Sequence, residues 1–109
     1  MVLLRALGGA FSRVAPDATP IAFRDAQAFF IVNRLLPLDA TDEQAAAMQV
    51  ELDAALAHTS GRYSNFTEVY GEAVLPTIYP PATLARLRRV KAEVDPGDVF
   101  RPAHHIRPA

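Results

Sequence analysis

Pro80-Pro81-Ala82-Thr83-Leu84-Ala85-Arg86-Leu87-Arg88-Arg89-Val90-Lys91-Ala92-Glu93-Val94-Asp95-Pro96-Gly97-Asp98 reads as one helix with both ends marked. Pro81 suits a first helical turn, where its missing N–H costs nothing, and Pro96 forbids continuation. Leu84, Leu87, Val90 and Val94 make one apolar stripe. Arg86, Arg88, Arg89, Lys91 and Glu93 take the other positions, with Arg89 and Glu93 an i,i+4 pair. The Arg86–Lys91 cluster therefore reads as a solvated helix face. Asp95-Pro96-Gly97-Asp98 is a tight turn, after which Val99-Phe100 is expected to return to the core and Arg101–Ala109 to form a tail.

Upstream, a second helix is marked by Thr41-Asp42-Glu43-Gln44, a capping box with a hydroxyl at the N-cap and an amide three residues on. Met48, Leu52, Ala55 and Leu56 follow on one face, and Gly61 is a plausible stop. Residues 1–10 show no clear period. Gly8–Val14 and Ile21–Arg24 read as short extended pieces around a turn at Pro16–Pro20, and Ala28–Leu36 as a strand buried on much of both faces and ended by Pro37. Arg62–Val69 alternates as a further strand, and Gly71–Tyr79 looks irregular. The order predicts an α+β fold, an antiparallel sheet with two main helices packed on one side.

At 109 residues the chain is one domain, and a chain this long buries roughly two thirds of its unfolded surface. Half the residues are apolar, so the composition is not that of a disordered chain. The net charge of -1 argues against nucleic-acid binding by bulk electrostatics. The lack of cysteine excludes disulfides, thiolate metal sites and a cysteine nucleophile, and fits a cytoplasmic location. Arg5 and Gly8-Gly9 cut the opening apolar run short of a signal peptide, and no apolar stretch has the roughly 20 residues a membrane span needs.

Candidate chemistry is sparse. His104 and His105 are neighbours, so an extended tail points them apart, and His58 lies far off near a helix end; no metal site is expected. Ser12, Ser60 and Ser64 lack a nucleophile elbow, and Gly8-Gly9 lacks the pattern of a phosphate loop. In Tyr63-Ser64-Asn65-Phe66, a regular strand would put Tyr63 and Asn65 on one face and Phe66 on the other. Asn65 can offer donor and acceptor to a heterocycle edge, and a tyrosine can serve as a general base. The same residues equally suit an ordinary strand with Tyr63 half-buried.

Tyr63-x-Asn65-Phe66, then Leu84-x-x-Leu87-x-x-Val90-Lys91-x-x-x-Asp95-Pro96-x-x-Val99-Phe100-Arg101, and then Ile106, resembles the C-terminal signature of the berberine-bridge-like FAD-linked oxidoreductases. Gly8-Gly9-Ala10, Asp17-Ala18-Thr19 and Phe23-Arg24-Asp25-Ala26 look like late substrate-domain strands of bacterial members. On this resemblance residues 1–60 correspond to late substrate-domain strands and a helix, and 61–109 to the berberine-bridge-type segment.

The resemblance implies a C-terminal, flavin-capping portion of an FAD-dependent oxidoreductase, with FAD held in an N-terminal domain and the substrate between flavin and sheet. It assigns Tyr63 and Asn65 to the flavin's neighbourhood, and His104, in the tail, to a hydrogen bond toward the cofactor. Where several members carry a tyrosine base, this chain has Phe66, so the catalytic residue is unknown. A chain of this length is not expected to bind FAD tightly or to be catalytic alone. Its expected partner is an FAD-binding domain or a separate flavin-binding subunit. The alternative is a free-standing small module that homodimerises through its sheet and binds a small apolar ligand without redox chemistry; a remnant of a longer gene is a third possibility.

Overall fold

Val2-Leu3-Leu4-Arg5-Ala6, which shows no clear period, forms the first strand (β1, Val2–Ala6) of the computed structural model, which describes residues 1–109. It pairs antiparallel with the second strand (β2, Ala28–Val32), Val2 opposite Val32 and Arg5 opposite Phe29. The ladder is prolonged by Leu7 N–H to Gln27 O at 2.9 Å and Asn33 N–H to Met1 O at 2.9 Å. β1 is thus the partner that makes β2 a strand, and it explains why β2 stops at Val32 rather than running on to Leu36.

The expected strand at Gly8–Val14 is instead a run of turns, and Ile21–Arg24 is irregular. Gly8 at φ 129° and Gly9 at φ 54° turn the chain out of β1 through backbone conformations that favour glycine. Residues 7–27 then form one long loop that brings Phe11, Ile21 and Phe23 back over the sheet.

The first helix (α1, Asp42–Leu56) begins where the capping box places it. Thr41 Oγ1 accepts from Gln44 N–H at 3.3 Å, and Thr41 N–H donates to Gln44 Oε1 at 2.9 Å. Its inner side is Ala45, Met48, Leu52 and Leu56, all half-buried, whereas Ala55 faces outward. The helix ends before Gly61, with Thr59 Oγ1 donating to Leu56 O at 2.8 Å.

Arg62–Val69 is not a strand: Ser64–Phe66 is a single 3₁₀ turn, closed by Phe66 N–H to Tyr63 O at 3.0 Å. Ser and Asn favour such local bonding over a ladder. The supposedly irregular stretch 71–79 contains a 3₁₀ turn, Glu72–Val74, and a short second helix (α2, Leu75–Ile78). It supplies Val74, Leu75 and Ile78, which with Leu84 are the four buried apolar residues of the molecule.

Leu84 belongs to the third helix (α3, Pro81–Val94), which stops at Asp95 as Pro96 requires. Only the start of its apolar stripe is covered; Val90 is 44% and Val94 74% exposed. Val99 and Phe100, expected in the core, are 76% and 74% exposed, because the turn closes on itself through their backbone N–H groups.

The α+β class therefore holds, with a two-stranded antiparallel sheet and three helices. The molecule is a slab of 44 × 39 × 18 Å with a radius of gyration of 16.3 Å, against about 13 Å for a compact chain of this length. Its accessible surface is 8102 Å², where a globule of this mass shows about 5,900 Å². No helix is long and apolar enough to cross a membrane.

Candidate functional site

Register puts Arg5 and Phe29 side by side, and Leu3 and Ile31 beside them, on one face of the β1–β2 ribbon. The long loop lays Phe11 and Phe23 over that face, and the turn at 64–66 closes one side with Tyr63 and Phe66. Phe23 stacks on both Phe11, at 5.9 Å between centroids, and Phe29, at 5.8 Å. Tyr63 meets Phe23 and Phe29 edge-on at 5.5 and 5.8 Å, and Phe66 lies 5.6 Å from Phe29 and 5.7 Å from Tyr63. These centroid distances are those of attractive aromatic pairs.

The cluster leaves an open cavity of about 200 Å³ whose lining is apolar except for Arg5. A neighbouring, more polar hollow of about 310 Å³ shares Phe29 and Tyr63 and adds His58, Ser60 and Arg62.

Arg24 braces the wall. Its guanidinium lies 4.6 Å over the Phe11 ring and donates to Phe11 O at 3.2 Å and Thr19 Oγ1 at 2.8 Å. The resemblance left this arginine without a role; its contacts make it a support for the loop.

Tyr63 and Asn65 do come together, though not as two side chains projecting from one strand face. Asn65 Nδ2 donates to Tyr63 Oη at 3.1 Å across the turn. Phe66, expected on the opposite face, packs against Tyr63 because the turn has 3₁₀ rather than period-two geometry. His104 is engaged elsewhere: its Nε2 bonds Val69 O at 3.1 Å and its ring lies 5.3 Å from that of Tyr70.

The signature residues after Leu87 form a clasp. Asp95, 8% exposed, accepts from Val99 N–H at 2.9 Å and Phe100 N–H at 3.0 Å, and pairs with Lys91. Lys91 also donates to Phe100 O and lies 3.3 Å from Asp98. Asp98 in turn bonds His105 Nε2 at 2.8 Å, which ties the tail to the turn. So Lys91 is part of a half-buried ion cluster and not of a solvated face, and the i,i+4 pair that α3 makes is Lys91–Asp95 rather than Arg89–Glu93.

The Lys91 ammonium and the two backbone N–H groups hold the Asp95 carboxyl down at about 2, against desolvation that pushes the other way. The His105 hydrogen bond, with help from Lys91, lowers Asp98. The Asp95 hydrogen bond raises Lys91, opposed by burial and helped by Asp98. These groups order the C-terminal turn; none lines the cavity.

Sequence reasoning missed the cavity itself. Its signal was present as matched parity, Arg5 and Leu7 against Phe29 and Ile31, but parity is informative only once β1 is known to be a strand.

Residues 75–107 match the family model described as berberine and berberine like. The chain is similar to YgaK of Bacillus subtilis (strain 168), named an uncharacterized FAD-linked oxidoreductase: 36% identity over 108 residues, 95% of this chain and 23% of that protein. It is also similar to the FAD-linked oxidoreductase OXR1 of Pyricularia oryzae, with 32% identity over 102 residues, 87% of this chain and 20% of that protein. The chain thus spans less than a quarter of the length of these curated relatives.

Proposed function

For a chain that carries the C-terminal, berberine-bridge-like region of the FAD-linked oxidoreductases, we propose a role as the substrate-side cover of a flavin site whose FAD-binding half is other polypeptide, either a further domain or a separate subunit. The observation that carries this reading is the open aromatic cavity. Tyr63, one of the two residues assigned to the flavin's neighbourhood, forms one wall of it together with Phe66, and Asn65 of the same turn lies outside the lining.

The residues fit one portion of FAD. Phe66, 59% exposed at the rim of the cavity, offers a ring face to the flavin, and Asn65 retains an amide hydrogen beyond the one given to Tyr63 for a heterocycle edge. When bound, FAD supplies the two-electron acceptor for substrate oxidation. The chain's own residues exclude water from that ring and orient the substrate against it. Phe66 has no ionisable group, so a substrate proton has to leave by another route. Tyr63 Oη, held by Asn65, is the phenolic oxygen nearest that position in the turn.

The surface supports a partner. The excess over a compact globule is about 2,000 Å², the size of an extensive permanent interface rather than a passing contact. Val2 and Leu4, on the ribbon face away from the cavity, are 65% and 69% exposed. On this reading the isolated chain holds FAD weakly and has no activity.

The test is the visible absorption spectrum of the purified chain with FAD, with and without the product of any adjacent upstream gene. Flavin bands that shift only when all components are present support a shared flavin site. Bands unchanged in every mixture would sink it, and a closed homodimer would then favour the apolar-ligand module instead.

A further inference from the structure

We propose that the aromatic cavity takes a flat apolar ring of one or two fused cycles bearing an anionic group, with the ring against Phe23, Phe29 and Tyr63 and the anion at Arg5. This deepens the reading above, since it names the substrate class of the same cavity, and its test uses no flavin.

Size comes first. An apolar protein cavity of about 150 Å³ accepts benzene, so one of about 200 Å³ suits a slightly larger ring. Full-sized ligand sites run from about 300 Å³, so the rest of a larger substrate would extend through the cavity's open side. Shape comes second. Tyr63 stands edge-on to Phe23 and to Phe29, which leaves aromatic faces and edges available to a further ring in the offset or edge-to-face arrangements that such rings prefer.

Charge comes third and sets the class. Among the lining residues Arg5 alone is charged, and no carboxylate stands beside it. Arg5 is fixed opposite Phe29 by the strand register, so its guanidinium rises from the same face as the aromatic wall. It has no ion-pair partner, in contrast to Arg34, Arg88 and Arg101, which are paired with Glu51, Glu72 and Asp98. A guanidinium offers a forked pair of donors matched to a carboxylate. The only other polar group at the wall is the Tyr63 hydroxyl. It accepts from Asn65, which leaves its own hydrogen free to donate to an anion.

The experiment is calorimetric titration of the full chain with 2-naphthoate and with the neutral 2-naphthylmethanol, under conditions where far-ultraviolet circular dichroism shows the helices formed. Naphthoate is expected to bind more tightly by about fivefold, the worth of an exposed charge pair. Arg5→Leu should abolish that preference while leaving the alcohol unchanged, and Arg5→Lys should keep part of it. Phe29→Ala should weaken both ligands by about fivefold or more. Equal binding of the two probes, a preference that survives Arg5→Leu, or no binding of either overturns the inference. Naphthoate binding with flavin bands that never shift would leave the inference standing and remove the flavin-cover reading. Shifted flavin bands without naphthoate binding would do the reverse.

Discussion

Asp95 shows how much structure one side chain can hold. Its two oxygens satisfy the N–H groups of Val99 and Phe100 and the Lys91 ammonium, so the signature Lys-x-x-x-Asp-Pro acts through turn geometry. Asp95→Asn keeps the shape but loses the charge and one acceptor, and should lower the melting temperature and speed amide exchange at Val99 and Phe100. Unchanged exchange there would count against the clasp. The pH dependence follows in sign. A carboxyl lowered from 3.8 to about 2 stabilises the fold fully above 3.8, and that contribution is lost as pH falls towards 2; Asp98, also lowered, adds to the same acid limb. Lys91 is raised, so its contribution is present below 10.5 and lost as pH climbs through the raised value. Circular dichroism melts across pH should therefore show an acid limb that is shallower in Asp95→Asn. Tyr63 and Phe66 teach a different lesson. Their identities are plain in the sequence, but their contact depends on a single 3₁₀ turn that alternation cannot reveal.

The helices differ in what holds them. Leu75, at 1% exposure, and Leu84, at 9%, join α2 to α3 in the molecule's small buried core. Leu75→Ala should cost about 2–5 kcal/mol in chemical denaturation. By contrast α1 has no fully buried residue, so Met48→Ala should cost well below that, whereas Thr41→Ala should cost about 1 kcal/mol by removing the cap. If Met48→Ala proved as costly as Leu75→Ala, a larger core around α1 would have to exist in solution. Both long helices could be read from the sequence because their start and stop signals are local: Thr41 with Gln44 for one, Pro81 and Pro96 for the other. α2 escaped notice because four residues cannot display a period.

The whole molecule is a thin slab with four buried apolar side chains in a chain that is half apolar. Such a surface should associate: sedimentation velocity of the chain alone is expected to show mass rising with concentration, and, on the proposed function, a flavin-binding polypeptide is expected to suppress that rise by covering the same surface. A single monomeric species at every concentration would argue that the slab is stable uncovered.

Some of this was written in the residues themselves. Capping boxes, proline stops and the Asp-Pro-Gly-Asp turn act over three to five neighbours, so α1, α3 and the final turn are legible in a linear reading. The spaced signature is likewise linear, and it pointed to the family that residues 75–107 match. The cavity is different. It joins Arg5, Phe23, Phe29 and Tyr63, residues separated along the chain by a long loop and a helix. A β-strand has no local stabilisation of its own; Val2–Ala6 is a strand because Ala28–Val32 lies beside it. Which side chains share that face is therefore set by pairing register, and register exists only in the folded chain.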